Sequence, residues 1–114
     1  MHNALRRILL ALTLSLSLVN AEVRLTVPEA MKNAVKKPNP EYPAMAKQMK
    51  VTGKVEVEVT VAEDGSVADA KPVTGNPILT GSVVRSLKGW SFTPFTANGA
   101  PTKAVFTLAF DFKP

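Results

Sequence analysis

Val55, Val57, Val59 and Val61 alternate with Glu56, Glu58 and Thr60, and no other stretch restricts the fold of this chain as tightly. A period of two sends successive side chains to opposite sides of an extended strand, so the valines line a buried face and the glutamates a wet one. Glu63-Asp64-Gly65-Ser66 follows as a hairpin turn, and Val67 opens the return strand. Pro72 has no amide proton for a ladder, so the return strand is either an outer edge or finished by that point. A valine face of this kind has to be covered, and the cover has to come from the flanking sequence.

Upstream, Pro43 opens a helix that places Tyr42, Ala46 and Met49 inward and Lys47 and Lys50 towards water, with Gly53 just past its end. Downstream, Asn76-Pro77 joins an N-cap side chain to a proline at the first helical position. Leu79, Val83 and Leu87 then repeat every four residues as a core-facing stripe, and Gly89 closes the helix. Gly81 weakens that helix by about 1 kcal/mol relative to alanine, so tertiary packing has to hold it. Trp90, Phe92 and Phe95 add aromatic bulk, and residues 96–102 form a polar loop. A last strand puts Phe106, Leu108, Phe110 and Phe112 on one face and Val105, Thr107, Ala109 and Asp111 on the other. The expected fold class is α+β, a three-stranded antiparallel sheet with two helices packed on one face.

The first residues are expected to lie outside that fold. Arg6 and Arg7 precede an apolar run, Ile8 to Val19, and Val19-Asn20-Ala21 offers a small-residue cleavage site. As a helix the twelve residues of that run would span about 18 Å, against a hydrocarbon core of about 30 Å. A cleaved export signal over residues 1–21 is therefore preferred to an uncleaved inner-membrane anchor, and no stable membrane span is expected. Residues 22–38 read as an arm. Val23, Leu25 and Val27 alternate as a short strand, and Met31, Ala34 and Val35 recur on one face of a short helix opened by Pro28. Pro38-Asn39-Pro40 is a stiff connector into the main domain, residues 39–114.

Cutting 114 residues after Ala21 leaves 93, enough for one small domain. Without Arg6 and Arg7, twelve basic residues face nine acidic ones, a net charge of +3. That mild excess, with no basic run interleaved with aromatics, does not point to nucleic acid. Export invites disulfides, yet the chain has no cysteine, so burial alone must hold the fold. The single histidine, His2, leaves with the signal. The mature chain thus lacks the usual proton shuttle, the thiol nucleophile and the soft metal ligands. Glu56 and Glu58 sit on a wet strand face, Glu63 and Asp64 in a turn, and no glycine spacing matches a phosphate loop. No catalytic residue, metal site or cofactor is expected, and the chain is not read as an enzyme.

A binding role needs only main chain. A three-stranded sheet leaves two edges of unpaired N–H and C=O groups. Pro72 blunts one of them; the strand from Val105 to Phe112 carries no proline and, at the other edge, accepts an extended peptide by β-augmentation. Four or five hydrogen bonds would contribute about 2–7 kcal/mol, much of it offset by ordering. The N-terminal arm could instead cap this strand.

The landmarks occur in one order: Pro40-Glu41-Tyr42-Pro43, Gly53 before the valine strand, Asp64-Gly65, Trp90-Ser91-Phe92-Thr93-Pro94, Gly99, and the strand from Phe106 to Phe112. Together they cover about two thirds of the chain, and the series resembles the TonB C-terminal domain family. That resemblance implies a periplasmic binding module whose last strand pairs with the TonB box of an outer-membrane TonB-dependent transporter. It carries the edge role to Val105, Phe106, Thr107, Leu108 and Ala109. It also makes Asn39, Pro40, Tyr42 and Pro43 a peptide-proximal motif, with Asn39 where the family has glutamine. From the residues alone, Tyr42 reads as a core aromatic below its helix before it reads as a ligand contact, and Lys47, Lys50 and Lys54 as a solvated face rather than a basic stripe. Family TonB proteins add a membrane-spanning helix and a Pro-rich spacer; with its signal cleaved, this chain is expected to be a free domain. The alternative function is a structural or assembly module of the envelope that pairs through the same strand, either as a homodimer or with another envelope protein.

Overall fold

The computed structural model describes residues 22–114, so the segment read as an export signal, residues 1–21, lies outside the described residues. Strand β3 (Gly53–Val61) occupies the middle of the sheet, and its alternation has the effect expected of it. Val55, Val57, Val59 and Val61 are fully buried, while Glu56, Glu58 and Thr60 on the other face remain partly open. β4 (Val67–Thr74) and β8 (Lys103–Phe112) both pair antiparallel with β3. The hairpin between β3 and β4 turns on Asp64 and Gly65. The Asp64 carboxylate accepts from the Ser66 hydroxyl at 2.6 Å and the Ser66 amide at 2.9 Å. These bonds hold its pKa below the usual carboxylate value.

Three helices supply the cover. α3 (Pro77–Lys88) begins at Asn76, whose side chain accepts from the Ile78 amide, and buries Leu79, Val83 and Leu87 against the valine face. α2 (Ala44–Gln48) contributes Ala46 to the same cluster, and α1 (Val27–Met31) contributes Ala30. Phe106, Leu108 and Phe112 enter from β8, and Trp90, Phe92 and Phe95 close one side with ring centroids 5.5–6.2 Å apart among themselves and Phe106. α1 is opened by a reciprocal cap. The Thr26 hydroxyl accepts from the Glu29 amide, and the Thr26 amide donates to the Glu29 carboxylate.

The sheet departs from expectation at one edge. It has four strands rather than three, in the order β1-β8-β3-β4, because β1 (Glu22–Arg24) lies parallel to β8. The arm then turns through α1 and pairs again, β2 (Ala34–Lys36) running antiparallel to β5 (Ser91–Phe92). The arm helix therefore ends at Met31, and Val35, expected on its inner face, is 71% exposed on a strand. Met49 is likewise corrected: α2 stops at Gln48, Met49 is 61% exposed, and Val51 packs on the core in its place. β4 continues past Pro72 as an outer strand, with the ladder shifting where Val73 bulges out. Residues 96–102 hold a small hairpin, β6 (Thr96–Ala97) with β7 (Ala100–Pro101), turned by Asn98 and Gly99 at positive φ.

Candidate functional site

The outer edge of β8 is divided in two. Its first part is occupied: Lys103, Ala104 and Val105 lie beside Glu22, Val23 and Arg24, and the Leu25 amide donates to the Val105 carbonyl at 2.9 Å. Val105 is therefore paired on both sides, and the expectation that it belongs to an open edge is corrected. Its N–H and C=O turn away from β3. Because the main chain of a strand alternates, those of Thr107, Ala109 and Asp111 turn the same way. No strand lies across from these three among the described residues, and all three are exposed. Phe106 and Leu108, also expected in the edge, direct their main-chain groups to Val59 and Val57 and their rings and methyls into the core. They support the strand rather than present it. Asp111 was not anticipated; its assignment follows only once the register is known.

The connector motif comes to the same end of β8. Asn39, Pro40 and Tyr42 line, with residues 110–113, a groove of about 220 Å³. Tyr42 is fixed at both ends: its hydroxyl donates to the Val51 carbonyl at 2.6 Å, and its ring stands edge-on to Phe112 at 5.4 Å between centroids. It thus serves the core and the groove together. Pro43 caps α2 and does not line the groove.

α3, with Trp90 just beyond its end, holds the connector in place. The Trp90 indole donates to the Pro38 carbonyl at 2.9 Å, the Ser86 hydroxyl donates to the same oxygen, and the Ser82 hydroxyl to the carbonyl of Glu41. A segment with two prolines cannot enter a ladder, so side chains satisfy its carbonyls. Ser82 and Ser86 were missed from the sequence, although their spacing of four puts both on one helix face.

Charge around the site is positive. The Lys47 ammonium lies 5.6 Å from the centre of the Tyr42 ring, and Lys113 pairs with Asp111 at 3.5 Å. Arg24 of β1 reaches Glu58 at 3.6 Å on the wet face, a half-buried carboxylate. Among the described residues, no group of histidine, cysteine, aspartate and glutamate is arranged to hold a metal ion, and no helix is long and apolar enough to cross a membrane.

The chain matches a family model, the Gram-negative bacterial TonB protein C-terminal, over residues 38–114. The chain belongs to the TonB C-terminal family. A similar solved structure is the solution NMR structure of the Pseudomonas aeruginosa TonB CTD, at 27% identity and a TM-score of 0.58, covering 71% of this chain and 84% of that one. No curated protein matches the chain. The TonB match begins at Pro38, whose carbonyl α3 clamps, so β1, α1 and β2 all precede the matched module.

Proposed function

We propose that this TonB-family domain works in the periplasm and captures the TonB box of an outer-membrane transporter as an added strand on the open part of β8. The observation that supports this reading is the outward main chain of Thr107, Ala109 and Asp111, exposed and with no strand opposite among the described residues. An extended peptide there would exchange main-chain hydrogen bonds with these residues and run past Tyr42 and Pro40 at the end of the strand. With β1 holding the upstream part, the slot is short, and the affinity expected from a few net hydrogen bonds less ordering costs is weak to moderate.

Titration of the isotope-labelled protein with a TonB-box peptide tests this by amide NMR. The expected result is a set of shifts at Thr107, Ala109 and Asp111, with nuclear Overhauser contacts between strands. Unchanged signals at millimolar peptide would overturn it.

A further inference from the structure

The N-terminal arm is held to the domain very unequally along its length. From Leu25 onward it is anchored. Leu25, Met31 and Ala34 pack on the core, and Ala30 is fully buried within it. The Thr93 amide donates to the Asn33 carbonyl at 2.7 Å, and the Asn33 side chain donates to the Thr93 carbonyl at 3.1 Å. The tip, β1, has no such footing: Glu22 and Arg24 are exposed, and the half-buried Val23 stands outside the core cluster.

Main chain keeps the tip in place. The Leu25 amide donates to Val105, so by alternation Val23 also turns its backbone to β8, beside Ala104. Among the described residues, the side chains of the tip add the Arg24–Glu58 ion pair, a partly solvated contact of little net worth that salt weakens. These bonds are of the kind an incoming peptide would make. β1 covers the outward main chain of Lys103 and Val105, and Thr107, Ala109 and Asp111 continue the same line along a strand without proline. A segment that pairs with Asp111, Ala109 and Thr107 and runs on upstream meets the arm at Leu25. From there both compete for one set of donors and acceptors.

We propose that β1 is a displaceable strand that stands in for the upstream part of the ligand, so that the site favours extended segments long enough to replace it. This rests on the docking reading above and names the length of partner the site takes. A short segment occupies only the stretch beyond Val105. A longer one takes the ladder from Lys103 to Asp111 while the tip swings away at Leu25 and α1 and β2 stay on the domain. The closed tip lowers the apparent affinity of the longer segment alone.

Two blocked peptides of alternating threonine and valine, one cut to lie along residues 107–111 and one along 103–111, test this by NMR titration. Val23→Pro removes an amide that the tip turns to β8; Val23 is outside the core, and a thermal melt checks the fold. Arg24→Cys/Val105→Cys does the reverse. The two positions are neighbours across the β1–β8 ladder and the chain has no cysteine of its own, so oxidation ties the tip down and reduction frees it. The long peptide is expected to bind Val23→Pro about tenfold tighter than the parent, as for a tip closed about nine-tenths of the time, while the short peptide changes by less than about twofold. In the cysteine variant, oxidation should lower the long peptide to the affinity of the short one, and reduction should restore it. Without any peptide, the Val105 amide of Val23→Pro should exchange with solvent as fast as that of Thr107.

Long-peptide affinity that is the same in the parent, in Val23→Pro and in both redox states overturns the inference; shifts at Thr107 and Ala109 would then leave the docking reading standing. No shifts with either peptide in any of these proteins overturns both. If Val23→Pro gains concentration-dependent sedimentation but no affinity for the long peptide, a second copy takes the uncovered strand and the inference fails.

Discussion

The Leu25 amide donates to the Val105 carbonyl at 2.9 Å, and the covered part of the β8 edge ends at that bond. Beyond it, alternation predicts two classes of amide. Thr107, Ala109 and Asp111 should exchange with solvent quickly, whereas Phe106, Leu108 and Phe110, which face β3, should be protected. Uniform protection along β8 in hydrogen-exchange NMR would mean that the edge is covered in solution.

Proline substitutions should separate the same two classes. Thr107→Pro removes an outward N–H and should leave the domain folded at a modest cost while abolishing peptide docking. Leu108→Pro breaks the central ladder and buries a ring in place of a core side chain, at a cost of about 3 kcal/mol or more. Circular dichroism melts read the stability, and peptide titration reads the docking. A second copy pairing at the same edge would appear as concentration-dependent sedimentation that Thr107→Pro removes.

Trp90→Phe keeps an aromatic ring in the core but removes the donor to Pro38, leaving that carbonyl to Ser86. A loss of about 1 kcal/mol in urea denaturation is expected, with amide shifts concentrated at Asn39 and Glu41. A loss with no change in the connector would separate core packing from the clamp.

Gly65 has φ +91, and a Cβ built there would lie 1.9 Å from the Phe92 carbonyl oxygen, which belongs to the backbone and cannot move aside cheaply. Gly65→Ala should cost about 3 kcal/mol or more and loosen the contact between the hairpin turn and β5. A variant as stable as the parent would rule out this close approach.

The Asp64 carboxyl is held below its ordinary pKa by the Ser66 hydroxyl and then the Ser66 amide. A depressed carboxylate pKa adds stability above its unfolded value of about 3.9, and that contribution is lost as pH falls through the lower folded value. In a carbon-detected titration, Asp64 should therefore titrate below a free aspartate, and Ser66→Ala should bring it back towards normal. Asp64 titrating at the free value in the parent would remove the turn's carboxylate bonds from the account.

Local rules were enough for the parts of this protein that are periodic. The valines of β3, the Leu79–Val83–Leu87 stripe between Asn76 and Gly89, the Asp64-Gly65 turn and the phenylalanine face of β8 could all be read from spacing, because each repeat matches the period of its own element. The order of those landmarks also carried the family. Only the folded chain decided who neighbours whom. β1 shows as the alternation around Val23 and β2 reads as helix, but neither pattern names a partner, and the partners Lys103–Val105 and Ser91–Phe92 lie far along the sequence. Pairing of that kind depends on backbone groups that every residue has, so side-chain pattern is silent about it. The same holds for the site: the sequence singled out β8 and the Pro-x-Tyr-Pro connector separately. Their meeting at Tyr42 and Phe112, and the division of the edge at Val105, are consequences of tertiary packing.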